Sequence, residues 1–481
     1  MLAPGLTNTV IQRGATNASL RWVVEVNIPP VTTSPDPDAP ARSVQDEAAA
    51  GTTAARLTAA GFPAKAQQVR QPAVADLPAS VLGARVRLDE TFASKVDADA
   101  VVARIKAAGF SGRAWYQGWD GGDASAGPWT VRVLTIDPKA FRGEVLPTFG
   151  PDLERREKTT ELAALTGAKA AINAGFFVMD PTAGAEGDPA GASSLDGTTL
   201  SEPLKGRPVL VLRDDARHTE VARPRWTGTV DTGRRIRALD GLNRVPGLIR
   251  NCGGDITDSP TGLPRHDFTC TDDAELVAFT TEFGVSTPKG AGREVVLDAK
   301  DRVVRVSEER GTVLAPGQRS IQATGSRVAE LADVRAGDRV RVTTRLVADG
   351  VDLSNRRTST INGGPELVRG GRTWITQKRD GFNQTSNPSF DYGWVLQRNP
   401  RTFAGTDAQG RTLLVTVDGR QVGQLGLSIP ETAAVAKSLG MVEAINLDGG
   451  GSTSMVIDGA LVNSPSDATG ERPVGDAIVI R

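Results

Sequence analysis

Histidine is almost missing from this chain: only His218 and His266 occur among 481 residues. A Ser-His-Asp triad, a histidine-rich zinc site or histidine-based phosphotransfer would need one of them, and no motif surrounds either. Both read as ordinary surface or loop residues, so any chemistry falls to carboxylates, amides, hydroxyls and arginines. Cysteine is as sparse. Cys252 and Cys270 stand alone, 18 positions apart in a loop rich in Gly, Asp and Pro. They fit a single disulfide in an oxidising compartment, with two free buried thiols as the alternative. No apolar run reaches the length of about 18 residues that a membrane-spanning helix needs. The opening, Met1-Leu-Ala-Pro-Gly5, lacks the basic and apolar regions of a signal peptide. With the cysteine pair, the expectation is a secreted or cell-envelope protein whose signal peptide is not in this sequence; a cytoplasmic protein is the alternative.

Net charge is also missing. The 56 basic and 57 acidic residues cancel to −1, which removes the broad positive field expected of a nucleic-acid binder. What remains is 39% hydrophobic, ample for buried cores, and long enough for about two to four domains.

The most informative stretch is Asn446-Leu-Asp-Gly-Gly-Gly-Ser-Thr-Ser454, directly after an apolar strand at 442–447. Three glycines let the backbone turn sharply and approach a ligand closely. Asp448 and the hydroxyls of Ser452, Thr453 and Ser454 are delivered to one point at the strand end. A tight turn without a ligand is the plain alternative. No Gly-Lys-Ser/Thr follows, so this is not a nucleoside-triphosphate loop.

Around it lie Asn399-Pro-Arg-Thr402, Leu413-Leu-Val-Thr-Val-Asp-Gly-Arg420, Gly426-Leu-Ser-Ile-Pro-Glu-Thr-Ala433, Val462-Asn-Ser-Pro-Ser-Asp467 and Gly470-Glu-Arg-Pro-Val474. Upstream stand Ala171-Ile-Asn-Ala-Gly-Phe-Phe177 and Ile361-Asn-Gly-Gly-Pro-Glu-Leu367. In order and spacing these motifs resemble the phosphodiester glycosidase family, over residues 129–481. The resemblance implies a hydrolase that releases a free sugar from a sugar-1-phosphodiester and leaves a phosphomonoester, and so a carbohydrate phosphodiester as substrate.

Residues 1–128 are organised differently. Arg56-Leu-Thr-Ala-Ala-Gly-Phe62 recurs as Arg104-Ile-Lys-Ala-Ala-Gly-Phe110, each copy ending a short helix with a glycine. Strand-like runs at 21–26, 64–70, 84–88 and 113–117 flank the helices, giving two βαβ units. The layout resembles SPOR-type repeats, which implies contact with peptidoglycan or another wall glycan. Trp115, Tyr116 and Trp119 could stack on sugar rings or pack this unit onto its neighbour. Residues 29–40 read as an exposed loop and 181–200 as a surface loop or a lid. Short strands between 277 and 346 read as a β-rich subdomain. The expected fold class is α+β: a mixed-sheet catalytic domain at 129–481 with helices and that subdomain, preceded by the SPOR-like domain at 1–128.

The expected site gathers strand ends. Its catalytic candidates are Asp448, Asp418, Asn446 and Asn173, with Asp448 as base or electrostatic partner, Asp418 as second carboxylate and the asparagines positioning sugar or water. Substrate-binding candidates are Arg401, Arg420, Arg472, Glu366, Asn362, Gly363 and Gly364. They are joined by Gly449, Gly450, Gly451, Ser452 and Thr453, whose loop N–H groups from Gly450 to Ser452 would face the phosphate with Arg401. Asp418-Gly419 also suits a hairpin turn, Arg401 and Arg472 also suit core ion pairs, and Asp476 is a reserve carboxylate beside Glu366. Clustered carboxylates suit Ca2+ or Mg2+, although no fixed-spacing loop demands a metal. Two other functions fit the same residues: an exoglycosidase on an unphosphorylated wall polysaccharide, and a non-catalytic wall-glycan binder.

Overall fold

The computed structural model describes residues 1–28, 41–122 and 127–481; the segment 29–40, expected as an exposed loop, lies outside the described residues. Strands hold 39% of the chain and helices 14%, so sheets set the architecture. The largest has seven strands in the spatial order Leu6–Arg13, Trp129–Ile136, Thr412–Val417, Arg401–Asp407, Met441–Asn446, Glu366–Arg369 and Arg372–Thr373. Every neighbouring pair in it is antiparallel, and the mixed pairing expected of this domain lies in another sheet, where Gly241–Leu242 runs parallel to Leu276–Phe279. The sequence strand, helix, strand across 412–446 usually makes parallel neighbours. Here Arg401–Asp407 lies between the two strands and pairs antiparallel with both.

Alternation along the strands explains the layers. Leu134, Leu414 and Ile445 face one side and pack on Ile172, Met455 and Ile478. The latter belong to an antiparallel sheet of Ala460–Leu461, Met455–Ile457, Ala170–Asn173, Ala477–Ile480 and Val145–Thr148. On the opposite side Val133, Val415 and Val417 meet Ile429, Ala433 and Ala436 of the helix Ile429–Ser438. That helix starts where Ser428 and Glu431 form a capping box. Each large apolar side chain buried between these layers contributes about 1.5–3 kcal/mol, so packing outweighs capping in fixing where the strand ends lie.

Two expectations change in the middle of the chain. Residues 181–200 are neither lid nor surface loop. They supply Ser193–Leu195 and Thr198–Ser201 to a sheet with Thr358–Asn362, and Ala183, Ala190 and Ala192 are buried, since small side chains let the segment pack inside. The β-rich region is also wider than 277–346. A sheet containing Gly290–Leu297 shares one core, including Val230, Leu276, Val295 and Val340, with a sheet containing Arg225–Asp231 and Arg341–Ala348.

Near the N-terminus the first strand, Leu6–Arg13, joins the large sheet by pairing with Trp129–Ile136. A separate antiparallel sheet follows, ordered Ala64–Gln71, Ser80–Phe92, Trp22–Asn27 and Ser111–Tyr116. The helices Glu47–Ala59 and Lys95–Ala107 cover it through Leu57 and Ile105. The repeated motif has a reciprocal contact: Arg56 lies 5.5 Å from the Phe110 ring and Arg104 lies 5.5 Å from the Phe62 ring. Trp115 and Tyr116 are buried and cluster with Trp22 and Trp119, while the Trp119 indole donates to the Gln421 carbonyl at 3.3 Å. The aromatics therefore join the two units.

Glu25 ties that junction. Fully buried, it accepts from Arg87 at 2.8 Å, Arg113 at 2.8 Å and the Tyr392 hydroxyl at 2.9 Å. Burial alone would raise its pKa, but Arg87, Arg113 and Arg85 outweigh it and hold the carboxyl at about 2. A depressed folded-state pKa gives stability that is present above the unfolded value of 4.5 and lost as pH falls toward about 2. Glu25→Gln should lower the unfolding free energy by about 3 kcal/mol at neutral pH and flatten this acid-side loss. Urea denaturation at neutral and acidic pH measures both; midpoints matching the wild type would show that Glu25 does not tie the units.

Candidate active site

The glycine loop is set by the end of the strand Met441–Asn446. Gly450 takes φ +59° at the start of a short turn, Gly450–Ser452. A Cβ on Gly449 would sit 2.9 Å from the Pro400 carbonyl oxygen, and one on Gly451 would sit 2.0 Å from Arg472 Nη2 and 2.3 Å from Asp467 Oδ1. The glycines are therefore required by neighbours that press on the loop. The expected anion nest is not built from the Gly450 and Ser452 amides. Gly450 N–H donates to Pro400 O at 3.0 Å and Ser452 N–H to Gly449 O at 3.1 Å, because the turn closes on itself and on Pro400.

Asn173 holds this loop in place. Its Nδ2 donates to Asp448 O at 2.6 Å, and its Oδ1 accepts from Thr402 Oγ1 at 2.7 Å and Ser454 N at 3.1 Å. Asn446 donates to Gly364 O and Leu447 O, and Asn362 makes two bonds with the Phe176 backbone. All three amides are buried. They fasten backbone segments to one another and so position the loop, while the buried Asn446 Oδ1 has no hydrogen-bond partner among the described residues. Gly363 and Gly364 lie beneath it, where a Cβ on Gly363 would be 2.7 Å from Asn446 O.

Two of the expected carboxylates are engaged elsewhere. Asp418 is buried, paired with Arg132 at 2.6 Å and accepting from Ser464 N at 3.0 Å. Glu366 is buried between Arg223 at 2.9 Å and Arg369 at 2.5 Å. Neither lines the cleft, because each strand end meets arginines before it reaches the opening. Asp476 is buried behind the loop, accepts from Gly175 N at 2.6 Å, and is pushed up to about 7 by burial.

What the fold does bring together are two adjoining clefts that share Trp394. The first, about 400 Å³, is lined by Asp448, Ser452, Arg472, His266, Phe176 and Trp394. The second, about 270 Å³, is lined by Trp394, Asn399, Arg401, Arg420, Gly449 and Gly450. Asp448 is half-buried at the first, and the buried Ser452 Oγ beside it has no hydrogen-bond partner among the described residues. Thr453 lies deeper, its hydroxyl 3.4 Å from that of Thr402. Arg472 is held by Asp467 through two bonds of 2.7 and 3.0 Å, so this arginine reaches the cleft already paired.

Arg401 is different. It is 1% exposed, donates only to the carbonyls of Leu427 at 2.8 Å and Trp394 at 2.7 Å, and pairs with no carboxylate among the described residues. Burial, and then the nearby Arg420, push its pKa down to about 9. Arg420 adopts φ +58° and donates to Asn399 Oδ1 at 3.1 and 3.0 Å. A buried cation without a counter-ion is costly, and an anion in the second cleft would relieve that cost.

His266 is the residue that sequence reasoning missed. It is buried, not a surface residue. Its ring stacks on Phe382 at 4.3 Å and meets Phe176 at 4.4 Å and Trp394 at 4.6 Å edge-on. Burial, Arg207 and Arg250 hold its pKa well below the usual value. His218 is exposed on the strand His218–Ala222. The disulfide Cys252–Cys270 forms as expected and closes the loop that carries His266. The one available signal was the aromatic run Phe390 to Trp394, which had no assigned place in the sequence pattern. As for a cation, Asp255 and Asp258 in this loop and Asp272 just beyond it bring carboxylate oxygens within 4.8 Å of one another, and none of the three lines either cleft.

Gly451→Ala should push Arg472 from Asp467 and lower stability by about 1–3 kcal/mol. Gly423→Ala, where a Cβ meets nothing within 4 Å, serves as the control in a denaturant titration. Equal stability of the two variants would contradict the packing of Arg472 on the loop.

Comparison with known proteins locates the pattern. A family model described as phosphodiester glycosidase matches residues 291–481. Bovine N-acetylglucosamine-1-phosphodiester alpha-N-acetylglucosaminidase is 32% identical over 159 residues, 33% of this chain and 30% of the bovine one; the chain thus spans about a third of the curated relative it matches. A Burkholderia pseudomallei protein, inferred to be exported, is 32% identical over 100% of this chain and 95% of its own, with a TM-score of 0.87. A hypothetical protein from Synechocystis shares the fold at 19% identity and a TM-score of 0.58, covering 87% of this chain and 68% of its own. Asp448, Arg401, Arg420 and the glycine loop lie inside the matched region, and Asn173, Phe176 and His266 lie before it. The chain belongs to one family with the Burkholderia protein, and its residues 291–481 carry the phosphodiester glycosidase family domain.

Proposed function

We propose that this protein hydrolyses a sugar-1-phosphodiester at the anomeric carbon, giving free sugar and a phosphomonoester. The observation that carries this reading is Arg401: a buried guanidinium with no carboxylate partner among the described residues, beside Arg420 and adjoining the cleft of Asp448. An anion fits the Arg401–Arg420 cleft. A ring with an apolar face fits the neighbouring cleft between Phe176, Trp394 and His266. The scissile bond then crosses the boundary at Trp394, next to Asp448 and Gly449.

In this reading water attacks the anomeric carbon as the bond to the phosphate oxygen breaks, with the bonding electrons leaving on phosphate. Asp448 takes the proton of the attacking water and faces the developing oxocarbenium charge. Arg401 and Arg420 hold the departing phosphate, whose charge needs no proton from a general acid. The name of the bovine relative suggests N-acetylglucosamine as the sugar. The disulfide and the Burkholderia relative support an extracellular or cell-envelope setting, and a wall or extracellular glycan is then the natural target. Wall contact through residues 1–128 would need residues other than Trp115 and Tyr116, which are buried at the junction.

The test is hydrolysis of a methyl diester of N-acetylglucosamine 1-phosphate in water labelled with heavy oxygen. Label should enter the sugar and not the phosphate; label in the phosphate would overturn cleavage at the anomeric carbon. Asp448→Asn should lower kcat by about a thousandfold or more at unchanged thermal stability. Arg401→Met should lower kcat/KM by about a hundredfold while leaving any activity on a nitrophenyl glycoside unaffected. Equal loss on both substrates would favour a plain exoglycosidase.

A further inference from the structure

We propose that His266 is a sugar-binding residue of the Asp448 cleft, an imidazole that Arg207 locks with its proton on Nε2, donating to a hydroxyl of an uncharged sugar ring. This rests on the functional reading above and assigns a group to the sugar side of the site. It begins with one contact. Arg207 Nη2 lies 3.3 Å from His266 Nδ1, and a guanidinium has donors only. Nδ1 must therefore accept, so the neutral ring carries its proton on Nε2.

The ring has little freedom to turn. Phe382 stacks against it, and Phe176 and Trp394 meet it edge-on, while Arg207 is itself held 5.2 Å from the Phe176 ring and 5.3 Å from that of Phe382. His266 lines the same cleft as Asp448 and Ser452, and no described residue accepts from its Nε2. Ser452, 1% exposed, also has an Oγ without a partner among the described residues. Two polar groups without partners among the described residues thus line one cleft together with Phe176, Phe177 and Trp394, as expected where hydroxyls and the apolar face of a pyranose are recognised together.

Charge decides between sugar and phosphate as the acceptor. The charged groups that act on the ring are Arg207 and Arg250, with Asp267, Asp448 and Arg472 lining the same cleft. Burial and the two arginines favour the neutral imidazole, which suits a hydroxyl acceptor. The anion has its own cleft at Arg401 and Arg420.

The test uses the full chain labelled with nitrogen-15 at histidine, whose two imidazoles are separated by His266→Gln. His266 should show the Nε2–H tautomer and keep it from about pH 5.5 to 8. Millimolar N-acetylglucosamine should shift its signal and leave that of exposed His218 unchanged, and inorganic phosphate alone should do neither. An Nδ1–H tautomer, an imidazolium, or silence at saturating sugar would overturn the proposal. In kinetics, His266→Phe keeps the ring packing without the donor and should raise KM for the phosphodiester about tenfold with kcat little changed; His266→Gln, which restores an N–H, should recover part of that loss. If the wild type cleaves no sugar phosphodiester, the functional reading fails while the sugar-dependent shift still judges this site. If it cleaves and His266 stays silent, only this inference fails.

Discussion

The site depends on one side chain that fastens the glycine loop. Asn173, at the end of a strand in the smaller sheet, bonds both sides of the glycine loop at the end of a strand in the larger one. An amide can donate and accept at once, so a single asparagine replaces several backbone bonds that the loop cannot make internally. The two packed sheets bring its strand end to the loop. Asp448 owes its position to this join, since the Asp448 carbonyl is fixed by Asn173 and its amide by Ala174 O at 2.9 Å.

Buried charge is handled in two ways. Glu25, Glu366 and Asp418 each face arginines at hydrogen-bond distance, which satisfies them and ties segments together. Arg401 has carbonyls and a second arginine instead. In low dielectric that arrangement favours an incoming anion. The contrast between saturated and unsaturated arginines, more than the number of arginines, separates scaffold from site. Arg472 lies between the two classes, reaching the cleft while held by Asp467.

Much of the fold was legible. The apolar strand before the glycine loop, the strand runs near 21–26, 64–70, 84–88 and 113–117 and the two Ala-Ala-Gly-Phe helix ends follow from local pattern, and each formed. Sheet direction was not legible, because no local signal says that Arg401–Asp407 enters between two strands joined by a helix. The segment 181–200 was misjudged because its Gly, Ala and Ser serve equally in a loop and in tight packing. Asp418, Glu366, Asn446 and Asn173 were chosen correctly as strand-end residues, but their partners come from segments remote in sequence, and those partners decide what each group is free to do.

His266 shows the division most clearly. The sequence by itself determined that histidine is scarce, that the glycine loop must lie close to its neighbours, and that a single disulfide could close the loop between Cys252 and Cys270. These follow from residue type and spacing, which act within a few positions. Only the tertiary structure decided that this loop carries His266 onto Phe382 and Trp394, against Arg207 and into the cleft of Asp448. Burial, charge pairing and tautomer are properties of the surroundings, and here those surroundings are assembled from four separated stretches of the chain.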